Sequence, residues 1–339
     1  MRLFTEFFMK ITKPDYFDRF RCIAGACPDS CCKEWAVEVD PDSAKMYRSL
    51  PGSLGDRLRA VLKEEGDSTI MTIQDGRCPM WRDDGLCRIQ AELGHDALCA
   101  TCRDFPRLKH DYGDFVEMDL ELSCPEAARL ILSAPPSPPV VAEIAGGTEA
   151  GYDSQDMQLL LRTREEAYSL MQGRRPEEAL ALLLLYGYHV QAILDGEADV
   201  PFSPESQLTF AGELAKPSDP DGFLAFFRSL EILTEEWKAR LDAPAPVPAP
   251  MDKRYLSIAR YFIRRYWLQA VSDLDLVSRV KLTVISCIAV QLLGGDLTAT
   301  AQLYSKEIEN DADNIDAILD GAYHSPAFTD DKLLGFLLL

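Results

Sequence analysis

Apolar residues recur at helical spacing through the second half of the chain. Leu256, Ala259 and Ile263 fall three or four positions apart, which places them on one face of a helix. The same periodicity predicts helices at residues 155–172, 176–195, 275–293 and 297–309, a short final helix at 314–319, and a helix that carries Phe223, Phe227, Leu230 and Trp237 on one face. Proline-rich segments at 133–140 and 242–250 are predicted to be extended.

The first 132 residues show shorter apolar runs. The predicted elements are strands at 36–39 and 68–74, a hairpin of residues 108–110 and 115–120 around a turn at 112–114, and helices that begin at Pro41 and Pro125. Asp40 stands immediately before Pro41, where an N-cap is expected. The sequence therefore predicts an α+β fold, with a small cysteine-rich metal-binding α+β module at 11–132 followed by a mainly α-helical domain at 150–339.

No stretch of the sequence has the pattern of a membrane span or a secretion signal. A span needs about 18 apolar residues without charges, and the nearest run, 179–194, contains Gly187, His189 and Gln191. The first ten residues have Glu6 inside a short apolar run and no cleavage site after it. We expect a cytoplasmic protein with no membrane partner.

Composition and charge limit the classes of molecule that the protein is expected to bind. Apolar residues make up 47% of the chain, enough for a core without stabilising disulfides. The formal net charge of −20 disfavours nucleic acid and anionic membranes, because both require cationic surfaces. A lysine-bearing protein would be attracted, although acidity that serves only solubility explains the charge equally well.

Nine of the ten cysteines fall between residues 22 and 124. These nine are Cys22, Cys27, Cys31, Cys32, Cys78, Cys87, Cys99, Cys102 and Cys124. In a reducing compartment, clustered thiols more often bind metal or perform chemistry than form disulfides. The tenth, Cys287, lies in an apolar helix and is predicted to be a small buried side chain.

The spacing of the cysteines does not identify the metal. Thiolates select zinc, iron–sulfur clusters or cuprous copper, and Pro28, Pro79 and Pro125 each follow a cysteine, as proline does beside a ferredoxin ligand. Nine thiols exceed the four that one zinc ion or one four-iron cluster takes. Either there are two centres, or some of the cysteines have a supporting or catalytic role.

Residues near the cysteines have two interpretations each. His95 is a conceivable zinc ligand, although thiols are in surplus. Trp35 and Trp81 either shield a cluster from water or fill the core of the small module. A run of basic residues follows the Cys99–Cys102 pair. These residues either offset the negative charge of a cluster or only cap an exposed loop; they are Arg103, Arg107, Lys109 and His110.

Four blocks of the sequence resemble the flagellin lysine-N-methylase family. The blocks are Phe20–Trp35, Cys78–Gln90, Leu98–Arg107 and Leu122–Arg129, and their order and spacing match that family. The chain also resembles the broader zinc- or iron-chelating domain of the CxxCxxxCC type through Cys27, Cys31, Cys32, Cys78, Cys87 and Cys102. The additional cysteines Cys22, Cys99 and Cys124 indicate the methylase branch.

The resemblance implies an enzyme, a protein-lysine N-methyltransferase. It implies methyl transfer from S-adenosylmethionine to lysine ε-amines of flagellin, with an iron–sulfur cluster of the 4Fe–4S type bound by the cysteines, so that iron–sulfur ranks above zinc. The alternative is a non-catalytic binding module that chelates zinc or iron. The sequence contains no glycine-rich loop of the dinucleotide-binding type, so the residues that bind the methyl donor are not identified.

Methyl transfer to lysine needs a neutral amine, and a carboxylate or a tyrosine could accept its proton. The acids nearest the cysteine blocks are Asp29, Glu34, Asp104 and Glu126. Acids on helix surfaces and loops are usually only solvated, so the sequence assigns no catalytic residue.

Overall fold

The computed structural model describes residues 8–33, 35–146, 148, 150–243 and 249–339. Residues 1–7, on which the leader-peptide prediction rests, lie outside this range, as do Glu34 and most of the predicted proline spacer at 242–250. The α+β fold class is confirmed.

The elements occur in the following order. The strands are β1 Phe8–Lys13, β2 Val37–Val39, β3 Leu62–Glu65, β4 Ser68–Met71, β5 Arg107–Asp111, β6 Phe115–Leu120 and β7 Val140–Ala145. The helices are α1 Pro41–Ser49, α2 Gly52–Val61, α3 Arg88–Leu93, α4 Ala100–Asp104, α5 Pro125–Ser133, α6 Ser154–Leu170, α7 Pro176–Leu194, α8 Pro204–Leu214, α9 Pro220–Arg228, α10 Glu235–Asp242, α11 Tyr255–Tyr266, α12 Val277–Leu293, α13 Leu297–Ile308, α14 Ala312–His324 and α15 Asp330–Leu338.

Two sheets are present in the described residues. The larger has the strand order β5-β6-β1-β7, in which β1 runs parallel to β6 and antiparallel to β7. The predicted hairpin is confirmed as β5 and β6, with His110 opposite Glu117. The smaller sheet has the order β2-β4-β3, and its pairs are antiparallel. The sequence analysis did not find β1, β3 and β7.

Two of the predicted helices need correction. The apolar positions of Phe223, Phe227 and Trp237 do not share one helix, because α9 ends at Arg228 and the Thr234 side chain starts α10 by accepting a hydrogen bond from the Trp237 amide at 3.0 Å. All three rings are nevertheless buried. The last predicted helix is too short: α14 continues to His324, and α15 follows it.

The apolar side chains form two cores. The smaller core packs β2, β4, α1 and α2 together and includes Cys78 and Cys99. The larger core contains the helices from α5 onwards, together with Tyr16, Phe20 and Cys124. Helix α12 lies at its centre and is buried along almost its entire length. The domain boundaries given above stay a prediction.

A ladder of buried ion pairs joins β6 to the helices. Alternate residues at 117, 119 and 121 place three carboxylates on one face of the strand and of the residue that follows it. Arg164 of α6 donates two hydrogen bonds to Glu117, at 2.7 and 2.8 Å. Arg264 of α11 lies 3.1 Å from Asp119. Together these pairs bind the larger sheet to the helical part of the chain.

The third pair of the ladder is looser. Arg265 lies 3.8 Å from Glu121, but only 3.2 Å from Glu309, with which it shares the buried space. Burial raises the pKa of Glu121 to about 7, and the Glu309 carboxylate adds to this, while Arg265 acts in the opposite direction. Glu121 therefore holds a proton more readily than an exposed carboxylate does.

None of the helices in the described ranges combines the length and the apolar composition that a membrane crossing requires.

The Glu117–Arg164 pair predicts a large mutational effect. Arg164→Met leaves the buried Glu117 carboxylate without its partner, and we expect it to lower the free energy of unfolding in urea by about 3–5 kcal/mol. Arg162 lies in the same helix as Arg164 and forms exposed ion pairs with Glu166 and Asp199; Arg162→Met is the control and should cost below about 1 kcal/mol. Adding Glu117→Gln to Arg164→Met should recover much of the loss. Equal costs for Arg164→Met and Arg162→Met would contradict a stabilising role for the ladder.

The raised pKa of Glu121 predicts a pH dependence. Between its ordinary value of 4.5 and about 7, the folded chain keeps a proton on Glu121 that the unfolded chain has lost, so stability falls as pH rises through that window. In Glu121→Gln this contribution is absent, and the difference in unfolding free energy between wild type and variant should change by about 3 kcal/mol across it. The exposed Glu143→Gln serves as control. A wild-type curve parallel to that of Glu121→Gln would show that Glu121 ionises normally.

Candidate functional site

The first cysteine block is held against the second by close backbone contacts. Gly25 and Gly85 cross: a Cβ on Gly25 would lie 3.0 Å from the carbonyl oxygen of Asp84, and one on Gly85 would lie 3.2 Å from Gly25. Gly85 also has a φ of 79°, which side chains rarely tolerate. The amide of Cys78 donates to the carbonyl of Cys32 at 2.7 Å. These contacts bring residues 22–32 beside residues 78–87.

Three of the cysteines occupy the N-cap position of a helix. They are Cys87 for α3, Cys99 for α4 and Cys124 for α5. Helix α4 is fixed to the smaller sheet region because Asp40 accepts a hydrogen bond from the amide of Ala100 at 2.8 Å. First-turn amides carry partial positive charge, and this favours a thiolate at the N-cap. Sequence reasoning found the N-cap at Asp40 but missed all three cysteine caps.

Seven of the nine predicted ligands line one cavity of about 350 Å³. They are Cys22, Cys27, Cys31, Cys32, Cys87, Cys102 and Cys124. Cys78 and Cys99 are buried behind this lining, and their thiols hydrogen-bond to those of Cys32 and Cys102, respectively. The structure therefore gathers the nine cysteines into one region. Cys287 is fully buried in α12, as predicted.

The thiols influence one another's protonation. The hydrogen bond from Cys102 lowers the pKa of Cys99 to about 7, whereas burial raises the pKa of Cys124 to about 12. The pKa of Cys32 is raised because it donates to Cys31 and Cys78 and is itself buried. Without a cation, only some of these thiols can ionise. A bound metal would favour the thiolate form of each ligand that it contacts.

Cationic side chains outnumber acids in the cavity wall. The lining includes Arg21, Arg103, Arg107 and Lys306, against the carboxylate of Asp29. The prediction that basic residues offset the charge of the thiols is therefore consistent with the positions of Arg103 and Arg107. Lys109 instead pairs with Asp111 on the exposed side of β5 at 2.8 Å, and His110 is not part of the lining.

An aromatic wall stands on one side of the cavity. Trp35 and Phe105 both line it, with ring centroids 6.1 Å apart, and the indole nitrogen of Trp35 donates to the carbonyl of Cys31 at 2.8 Å. Trp81 does not line the cavity; it lies against the Arg77 guanidinium at 4.6 Å. His95 lies in the lining, and its side chain is largely exposed.

The candidate acids differ in their surroundings. Burial raises the pKa of Asp29, but the hydrogen bond and charge of Lys306, 2.9 Å away, and the charge of Lys33 keep that pKa below its ordinary value. Glu126 is held in a two-pronged pair with Arg129, and Asp104 is exposed and outside the cavity lining. Glu34 lies outside the described residues.

Helix α13 completes the site, which sequence reasoning missed. Lys306 and Gln302 both contact Asp29, at 2.9 and 3.3 Å, and Gln302 also donates to the carbonyl of Ser123 at 2.7 Å. These contacts connect the first cysteine block and the residue before Cys124 to the helical part of the chain. A signal exists in hindsight, because polar residues at 302 and 306 interrupt the apolar face of a predicted helix.

Among the described residues, no three His, Cys, Asp or Glu side chains are arranged to hold a single metal ion. The cavity nevertheless fits a thiolate-bound group in its donor chemistry, because its wall supplies thiols and compensating cations.

The fold and this cavity define a cysteine-rich α+β protein with a candidate metal centre. The chain belongs to the family of the lysine-N-methylases and FliU. It is 33% identical over 138 residues to the flagellar biosynthetic protein FliU of Salmonella muenchen, a match that covers 37% of this chain and 78% of that protein. It is 34% identical over 136 residues to a lysine-N-methylase of Salmonella typhimurium, which covers 37% of this chain.

The lysine-N-methylases are matched over only part of their length. The match covers 33% of the Salmonella typhimurium protein and 33% of a second lysine-N-methylase, from Salmonella choleraesuis, to which this chain is 33% identical. No family model matches the chain, and no solved structure matches it.

Proposed function

We propose that this protein is an S-adenosylmethionine-dependent methyltransferase that modifies lysine ε-amines of a flagellar protein, with flagellin as the substrate. The observation that carries the proposal is the similarity to proteins named lysine-N-methylase and to a flagellar biosynthetic protein. The thiol-lined cavity supports the accompanying iron–sulfur cluster, because its donors are those that such clusters take.

The cluster of the proposal is of the 4Fe–4S type. Its ligands would come from the seven lining thiols, while Cys78 and Cys99 support Cys32 and Cys102 from behind. When bound, the cluster supplies a cationic centre that stabilises thiolates and holds the cysteine segments together. This division gives Cys78 and Cys99 a supporting role, and four of the seven lining thiols would bind the cluster.

The protein's own residues would also keep water away from the cluster. Trp35 and Phe105 offer apolar faces on one side of the cavity for this purpose. Asp29 is already ion-paired with Lys306, so it orients the wall rather than accepting a proton. Excluding water from the amine and aligning it with the methyl group are the remaining requirements of the transfer.

The alternative is a zinc-chelating module without catalysis. The observation that favours it is the compact set of Cys31, Cys32 and Cys78, whose thiols are linked by hydrogen bonds through Cys32. Metal analysis separates the two: iron with acid-labile sulfide and a brown colour support the cluster, whereas a colourless protein with stoichiometric zinc supports the alternative.

The cluster proposal predicts selective loss of iron. Cys31→Ala and Cys102→Ala each remove a lining thiol, and we expect the anaerobically purified variants to lose most of their iron and sulfide. Cys287→Ala removes a fully buried thiol far from the cavity lining and should retain both. Iron contents that do not differ among the three variants would contradict the assignment of the cavity as the metal site.

The methyltransferase proposal predicts transfer of label. Anaerobic incubation with methyl-labelled S-adenosylmethionine and purified flagellin should label flagellin lysines, as located by peptide mass spectrometry. Flagellin with chemically acetylated lysines is the matched control and should remain unlabelled, because an amide nitrogen is not nucleophilic. No transfer to untreated flagellin by a protein with full iron content would overturn the proposal.

A further inference from the structure

A second cavity, of about 340 Å³, lies among helices α5, α6 and α11 and shares no lining residue with the cysteine cavity. Residues 14–16, the segment 134–139 and the facing sides of α6 and α11 form its walls. Its volume is in the range of small-molecule sites, about 300–1,000 Å³. The predicted proline linker thus forms one wall of a cavity.

Arg260 faces this cavity without a partner. Among the described residues it forms no ion pair or hydrogen bond, and its Nε atom is buried and unsatisfied. The neighbouring arginines of the ladder, Arg164 and Arg264, are paired with carboxylates. Burial lowers the pKa of Arg260, so the guanidinium lacks the stabilisation that an anion would supply. A guanidinium fork binds a carboxylate through two parallel hydrogen bonds.

The rest of the wall carries complementary groups. Asp15 and Glu165 line the cavity, and the Oδ1 atom of Asp15 is buried without a hydrogen bond. Tyr16, Tyr168 and Tyr261 add aromatic surface. The cavity therefore has a cation for a carboxylate, carboxylates for an ammonium group, and rings for a sulfonium or a planar base.

We propose that this cavity binds the amino-acid end of S-adenosylmethionine, with Arg260 receiving the carboxylate. The inference rests on the proposed function, since it locates the donor that the function requires. Asp15 and Glu165 take the ammonium group, and the tyrosines border the sulfonium. Tyr261 also connects this wall to the cysteine cavity: its hydroxyl accepts a hydrogen bond from the amide of Leu122 at 3.3 Å, two residues before Cys124.

Calorimetric titration of the full chain, purified anaerobically, tests this site. The probes are S-adenosylhomocysteine, which keeps the amino-acid end, and 5′-methylthioadenosine, which lacks it. Arg260→Gln should weaken S-adenosylhomocysteine binding by at least about tenfold and leave 5′-methylthioadenosine unchanged. Arg260→Lys, which retains the charge, should lie between Arg260→Gln and wild type. Arg254→Gln, at an exposed arginine paired with Asp252 just before α11, is the control.

Any result that differs from these expectations decides against the inference or against the proposed function. Equal S-adenosylhomocysteine affinity in Arg260→Gln and Arg254→Gln would place the donor elsewhere and overturn this inference, while the proposed function would stand. If Arg260→Gln weakened the binding of both probes equally, Arg260 would have only a structural role, and this inference would again be overturned. If the wild-type chain with full iron content binds neither S-adenosylhomocysteine nor S-adenosylmethionine, the proposed function itself fails. Since Arg260 has no partner to strand, Arg260→Gln should melt at or above the wild-type temperature.

Discussion

The buried charge ladder between β6 and the helices is the constraint on which the arrangement of the site depends. Two of its carboxylates, Glu117 and Asp119, are almost fully buried, and buried carboxylates are tolerated only when cations and hydrogen-bond donors meet them. Arg164 and Arg264 meet that demand from α6 and α11. The ladder thereby specifies how the larger sheet is placed against the helices. Cys124 comes four residues after the end of β6.

The position of the cysteine cavity follows from this placement. Cys78 and Cys99 belong to the smaller core, while Cys124 belongs to the larger one. Lys306 and Gln302 of α13 hold Asp29, which lies between Cys27 and Cys31 in the sequence, and so link the first cysteine block to the larger core. A thiol-binding group at this junction would connect both parts of the chain, so metal occupancy and the packing of the cores are expected to be coupled.

The two cavities differ in how their charges are balanced. In the cysteine cavity, cationic side chains stand among the thiols, where they would offset the negative charge of thiolates that held a metal. In the second cavity, Arg260 forms no ion pair among the described residues, while Arg164 and Arg264 of the ladder are each paired with a carboxylate. This contrast between paired and unpaired arginines within one region is the basis of the ligand-binding role proposed for Arg260.

Local signals in the sequence determined much of the fold. Asp40 before Pro41, the turn between β5 and β6, and the long apolar periodicities of α7 and α12 act within a few residues of themselves, and the structure confirms them. The family was also visible in the sequence, because motif order and spacing are properties of the chain alone. The break between α9 and α10 was missed, since a threonine cap is a weaker signal than apolar spacing.

Only the tertiary structure decided which groups share a cavity. Strands β1 and β7 depend on long-range pairing rather than on local propensity. Met9 of β1 pairs with Ile144 of β7, 135 residues further along the chain. The division of the cysteines into seven that line the cavity and two behind them, the roles of Lys306 and Gln302, and the unpaired state of Arg260 all depend on residues distant in sequence. Such contacts leave no local pattern, and they become visible only when the chain is folded.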